Sequence, residues 1–385
     1  MYRSIQNIAV VAALIALAGC SGAGAGGEDG QIAVAGVSAG DSHTLVLLED
    51  GTLWSTGNNG SGRLGNGTET RQNSLVQVMS GVASVSAGWQ HTLVVRRDGT
   101  LWGFGNRNDG LLGSSTPGKQ LEPIHIMDDV RQAAAGQWHS MVVKTDGTLW
   151  AFGSNSDGQL GIGSIGGFRR TPVQVTALGS AGVDASNIAS VSAGAGHSIA
   201  LTRAGKLYVF GRNNRGQLGL GDDTDRGTPW VVPNATAVAG ISAGVNHSLY
   251  WTANGDLYAF GYNVFGELGD TTEIQRNEPK LVMTNVATAS AGNLAYSAAV
   301  KTDGTLWTFG YNFSGQLGTG VRSGFNDANP NPQRVLDRVV SVAAGGGQTM
   351  IVRSDGSLWG TGRASRGDGT TEAIATPTFV PTPAN

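Results

Sequence analysis

Short apolar runs alternate with polar, glycine-marked turns over residues 31–385, and no stretch shows the 3.6-residue spacing of an amphipathic helix. A typical stretch is Thr92-Leu93-Val94-Val95, then Asp98-Gly99, then Leu101-Trp102-Gly103-Phe104-Gly105. Apolar runs joined by Asp-Gly predict a β-hairpin, here a two-residue turn with positive φ at both turn positions. A polar loop follows, as in Asn155-Ser156-Asp157-Gly158-Gln159-Leu160-Gly161, and then a proline-tagged strand such as Thr171-Pro172-Val173-Gln174-Val175. Proline donates nothing to a ladder, so this last strand belongs on a sheet edge.

The block recurs. A small-small-Gly step closes the first strand of each copy, at Gly40, Gly88, Gly136, Gly194, Gly244, Gly292 and Gly345; these glycines lie 48, 48, 58, 50, 48 and 53 residues apart. Seven copies of about four strands predict an all-β fold, a seven-bladed β-propeller over residues 31–385. A linear β-solenoid is the alternative, but it needs capping units at its ends. Here Ile32-Ala33-Val34 and Pro377-Thr378-Phe379-Val380 are both repeat-like. The ring is therefore expected to close by pairing of the N- and C-terminal strands, with Thr376–Val380 against the first unit.

The repeated pattern Ser-Ala-Gly-x-x-His-Ser/Thr, Gly-x-Leu-Tyr/Trp-x-Phe-Gly, x-Asn-x-x-Gly-Gln-Leu-Gly resembles the regulator of chromosome condensation repeat. Arg212-Asn213-Asn214-Arg215-Gly216-Gln217-Leu218-Gly219 carries the likeness most fully. The resemblance covers all of residues 31–385. The last copies drift: Ala295 and Gln348 stand where the other copies have histidine, and Arg366-Gly367-Asp368-Gly369 replaces Gly-Gln-Leu-Gly. The resemblance implies the propeller; for function it implies guanine-nucleotide exchange on a small GTPase as one possibility, because one fold hosts many functions.

Residues 1–19 read as an address. Arg3 precedes the apolar run Ile8–Leu17, which is too short to span a bilayer and ends in Leu17-Ala18-Gly19-Cys20. This resembles a bacterial lipobox, in which Cys20, the only cysteine, is diacylated and becomes the new N-terminus. Residues 20–30 follow as a Gly/Ala-rich flexible tether with Glu28 and Asp29. The reading is an extracytoplasmic lipoprotein of the cell envelope, sorted to the outer membrane in a Gram-negative host because Ser21 follows the cysteine. The lipid is then its only attachment to the membrane.

Composition excludes more than it names. Glycine is 61 of 385 residues, more than twice an average usage of about 7%, as many tight turns require. Net charge is −3 and no basic run occurs, which argues against nucleic acid as a partner.

Candidate chemistry is sparse. His43, His91, His139, His197 and His247 share one repeat position; two of the seven copies lack histidine there, so these are expected to be structural, each tying its blade to the next. The elbow-like Gly36-Val37-Ser38-Ala39-Gly40 and Gly240-Ile241-Ser242-Ala243-Gly244 are strand ends with no helix after them. Gly161-Ile162-Gly163-Ser164-Ile165-Gly166 lacks the βαβ setting of a dinucleotide fingerprint. Asp222, Asp223 and Asp225 fail EF-hand spacing and are expected to be turn charges. The periodic aromatics Trp54, Trp102, Trp150, Tyr208, Tyr258, Trp307 and Trp359 are expected to fill the core between blades. No catalytic residues, metal site or cofactor are assigned.

Between each repeat glycine and the histidine position lie two freely varying residues: Asp41-Ser42, Trp89-Gln90, Gln137-Trp138, Ala195-Gly196, Val245-Asn246, Asn293-Leu294 and Gly346-Gly347. Near-fixed flanks place these pairs on loops encircling one face. Asp41, Trp89, Gln90, Gln137, Trp138 and Asn246 are the expected partner contacts, with the ten extra residues after Gly163 adding a rim. The function expected is a protein-binding module or scaffold for an unidentified envelope protein. Exchange on a GTPase, which a secreted chain would not meet, and a glycan-processing propeller are the alternatives.

Overall fold

The structure, a computed structural model, describes residues 30–176, 187–363 and 365–384. They form seven four-stranded antiparallel sheets arranged as a ring. The first blade sets the pattern, with β1 (Val34–Ala39), β2 (His43–Leu48), β3 (Leu53–Gly57) and β4 (Gln72–Met79) lying side by side in chain order. The later blades span Val82–Met127, Val130–Gln174, Ile188–Val231, Val238–Met283, Val286–Leu336 and Val339–Val380. β1 and its counterparts line a central channel. β2 is buried along its whole length because blades press on both its faces, and after His43-Thr44 it reads as an unbroken apolar run; β4 is half-buried, with Ser74 and Gln77 exposed. Pro172, Pro229 and Pro377 all sit on outermost strands, as expected.

Two ends of the ring follow from this order. Loops after β1 and β3 share one end, where Asn58 N–H donates to the Ser42 carbonyl at 2.8 Å. Hairpin turns and the connections between blades share the other. The hairpins differ from expectation. Gly51 has φ of 85°, but Asp50 stays out of the left-handed region, and Gly51 N–H donates to Leu48 O while Leu48 N–H donates to Thr52 O. The turn is a wider one with glycine in the bulge, which needs positive φ once. The aspartate serves by its side chain, accepting from the Thr52 amide at 2.8 Å and its hydroxyl at 2.7 Å.

The ring closes, though not by a shared strand. Residues 376–380 pair with Leu358–Gly362 in their own blade. Each repeat supplies four consecutive strands, so no blade borrows one. The termini meet at the hairpin end in a single bridge between Gln31 and Ala384, with Ile32 N–H donating to Pro383 O at 3.0 Å. Elsewhere the closing seam is like the others: Val34 N–H donates to Gly356 O as Val82 N–H does to Gly51 O.

The core lies between blades. Phe104, Phe152, Phe210, Phe260 and Phe309, two residues after the periodic Trp or Tyr, are fully buried there. Of the periodic aromatics, Tyr208 is buried, while the tryptophans are half-buried lids. Trp54 Nε1–H donates to Thr52 Oγ1, and basic side chains cover Trp102, Trp150, Trp307 and Trp359. An indole has an N–H to satisfy, so it sits where the hairpin hydroxyl can reach it.

Candidate partner-binding face

The repeat histidines are latches. His43 Nε2 meets Thr92 Oγ1 in the next blade at 3.0 Å, and that hydroxyl donates onward to Arg63 O. His91–Ser140, His139–Ser198, His197–Ser248 and His247–Ser297 repeat the contact at 2.9, 2.7, 2.9 and 3.0 Å. A hydroxyl that donates to a carbonyl must accept from the imidazole, so Nε2 carries a proton, and burial keeps the ring neutral with Nδ1 bare. Burial holds His91, His139 and His197 down to about 3 and His247 to about 4. A Cβ on Gly40 would collide with the His43 ring, which explains the glycine three residues before each latch. The histidines point between blades and do not converge.

The sixth copy corrects the alignment. Ala295 does not take the histidine position; Tyr296 does, pairing with Gly310 as His43 pairs with Gly57. One inserted residue, Ala295 at φ of 48°, lengthens the loop. Tyr296 OH donates to Gln348 O at 2.6 Å and accepts from Thr349 Oγ1. Gln348 occupies the seventh position as expected and closes the ring, its Nε2 donating to Gly40 O at 3.1 Å.

The variable pairs do gather at the loop end. Asp41, Trp89, Gln137, Val245, Asn293 and Leu294 surround a pocket of about 200 Å³ at the channel mouth. Five of these loops are held from below: Asp41, Trp89, Gln137, Asn293 and Gly346 donate their N–H groups to the Gly88, Gly136, Gly194, Gly345 and Gly40 carbonyls of the next blade. Trp89 and Trp138 meet edge to face, centroids 4.8 Å apart; Trp138 is 37% exposed. Gln90 Oε1 accepts from Asn106 Nδ2 at 2.8 Å. Among the described residues the side-chain amides of Gln137, Asn246 and Asn293 have no hydrogen-bond partner, and the first and last of them line the pocket. The rim expected after Gly163 is absent. The loop of residues 155–167 is of ordinary length, and the extra length falls at the hairpin end, where residues 177–186 lie outside those described.

Sequence reasoning missed a second aromatic group at this end. Phe265 and Tyr311 are 4.8 Å apart, and Phe313 and Phe325 are 5.7 Å apart beside them. Leu294 packs into the same group, which joins it to the mouth pocket and Trp89. Phe325 is 67% exposed. The loops are built alike: Asn59, Asn155, Asn213, Asn263 and Asn312 each accept through Oδ1 from the leucine amide five residues on. The residue after that asparagine is Gly60, Ser156, Asn214, Val264 and Phe313 in turn. The switch from polar to apolar was the available signal.

The rejected motifs are structural. Ser38 Oγ and Ser242 Oγ accept backbone N–H groups from Ala87 and Ala291 in the next blade. Asp222 is paired with Arg226, and Asp225 accepts from Asn213 N–H. Among the described residues no three His, Cys, Asp or Glu side chains are grouped to hold a metal. Cys20 lies outside the described residues.

Known proteins share this architecture. A model of the RCC1-like domain matches residues 22–295, and one of the regulator of chromosome condensation repeat matches residues 303–352. The probable E3 ubiquitin-protein ligase HERC3 of Homo sapiens is 49% identical over 45 residues, 12% of this chain and 4% of that protein. Human WBSCR16 superposes with a TM-score of 0.75 at 21% identity, over 86% of this chain and 94% of that one. Prp20p from Saccharomyces cerevisiae, in a structure reported with its binding to Gsp1p and histones, gives 0.67 at 22% identity over 81% and 80%. At such identities the structures speak for the fold.

Proposed function

Since the chain belongs to the family of RCC1-like domains, we propose that it is a protein-binding module, lipid-anchored at Cys20 outside the cytoplasm, that docks its partner on the loop end. The observation that carries this is the pair of neighbouring tryptophans, Trp89 and Trp138, set at the mouth of the ring out of register with the core aromatics. Tryptophan supplies large contact area with little side-chain freedom, and its truncation at an interface often costs about 2 kcal/mol or more. The chain enters the fold at Gln31, at the hairpin end. A lipid joined there by residues 20–30 attaches at the end of the ring opposite the aromatic loops. Prp20p is described by its binding to Gsp1p and histones, which is in keeping with a propeller that works by holding proteins. We assign the chain no catalytic function, cofactor or nucleic-acid partner.

The test is titration of Trp89→Ala and Trp138→Ala against the protein captured by the wild type from envelope extract. Each should bind at least tenfold more weakly with an unchanged melting curve. Unchanged affinity in both removes the loop end as the docking face; turnover of a glycan or release of guanine nucleotide from a GTPase would replace the reading.

A further inference from the structure

The mouth pocket is more selective than an apolar patch. Its walls are Trp89, Val245 and Leu294, with the stems of Gln137 and Asn293; Asp41 is the one ionisable group lining it among the described residues. Among the described residues Asp41 makes no ion pair, and its Oδ2 accepts from Ser42 Oγ at 2.7 Å. Arg63 lies within electrostatic reach, yet its guanidinium is committed to Trp89 O at 3.0 Å and Ser61 Oγ at 3.4 Å. A cavity of about 200 Å³ holds one long side chain, not a folded element. A carboxylate at the edge of apolar walls selects a side chain with an apolar stem and a cationic head, because such a chain buries its methylenes while its charge finds an opposite one. An indole in the wall adds attraction for the same cation.

We propose that this pocket receives a lysine side chain, presented on an extended loop or terminus of the protein partner. The reading rests on the loop end being the docking face. The unpartnered amides of Gln137, Asn246 and Asn293 stand where the peptide groups flanking that lysine would lie, and an amide both donates to and accepts from a peptide. The aromatic group of Phe265, Phe313 and Phe325 continues the contact outward on one side. An acidic side chain is refused by Asp41.

The probes are N-acetyl-lysine methylamide and its neutral near-isostere N-acetyl-norleucine methylamide, titrated into the full chain while the Trp89 indole N–H is followed by NMR. The lysine compound should bind at least tenfold more tightly, Asp41→Asn should abolish that preference, and 0.5 M salt should weaken the lysine compound alone. A norleucine compound that binds equally well, a preference that survives Asp41→Asn, or a Trp89 signal unmoved by either compound overturns the proposal. Asn is isosteric with Asp, and a melting curve serves as the folding control. The outcomes separate from those of the docking test. Lysine preference with partner binding unweakened in both Trp89→Ala and Trp138→Ala counts against the docking face, while absence of a lysine preference with weakened partner binding counts against the pocket alone.

Discussion

His91 Nε2 donates to Ser140 Oγ across a blade boundary at 2.9 Å, and Ser140 passes a hydrogen bond on to Leu111 O at 2.8 Å. The chain of three joins one blade's second strand, the next blade's second strand and a loop of the first. All three groups are buried from water, so removing one strands another. His91→Ala should cost about 1–3 kcal/mol, the usual loss when a buried partner is left unsatisfied. Chemical denaturation checks it; an unaltered midpoint contradicts the latch.

Acid should loosen the whole ring. A histidine held neutral in the fold, but free to titrate near 6.5 once unfolded, draws the unfolded state down as protons are added. Stability is complete above pH 6.5 and is lost as the pH falls from there to about 3, where His91, His139 and His197 would ionise in place. Each such site adds up to about 1.4 kcal/mol per pH unit to the slope. Melting temperature against pH gives the slope, and His91→Gln should make it shallower by one site.

Glu267 works in the opposite direction. It is fully buried where other copies have Gln159, Gln217 and Gln316, whose Oε1 atoms accept from the amides of residues 157, 215 and 314. Glu267 Oε2 accepts from Phe265 N–H likewise, but Oε1 has no partner, and burial raises the carboxyl to about 7. The fold then holds a proton that the unfolded chain releases near 4.5, so stability falls as the pH climbs from 4.5 to about 7. Glu267→Gln should therefore stabilise by about 2–3 kcal/mol at pH 8 and by little at pH 4.5. Equal shifts at both values contradict a buried proton.

Lipid attachment is separable from the fold. Cys20→Ser should abolish incorporation of a labelled fatty acid and leave the unprocessed chain, with the propeller's melting unchanged. Undiminished label in the variant ends the lipoprotein reading.

The architecture was legible because the same signals recur from blade to blade, so the glycine steps, Asp-Gly turns and edge prolines corroborate one another. What escaped was whatever departs from the repeat. Tyr296 was hidden by one inserted residue, since counting from Gly292 lands on Ala295. Phe313 and Phe325 occur once, and a single apolar loop residue is ordinary until folding brings its neighbours beside it. The hairpin form was misjudged because Asp-Gly suits two turn geometries, and the copies with Ala204-Gly205 and Asn254-Gly255 adopt the same one as Asp50-Gly51. The loop end was placed correctly because the flanks of the variable pairs hardly vary.

A ring whose blades are each made of four consecutive strands can be built in the order it is synthesised. Nearly every strand pairing joins neighbours in the chain, and the partner of each latch arrives one repeat later. A polypeptide emerging lengthwise from a translocation channel can therefore finish blade after blade, each docking on the last, with no early strand waiting unpaired for the end of the chain. The contacts that must wait are those of the final seam, Gln31 with Ala384 and Gln348 with Gly40. Until then the incomplete arc has two bare blade faces, and the interval before the last residues arrive is when it is most exposed to aggregation or to a chaperone.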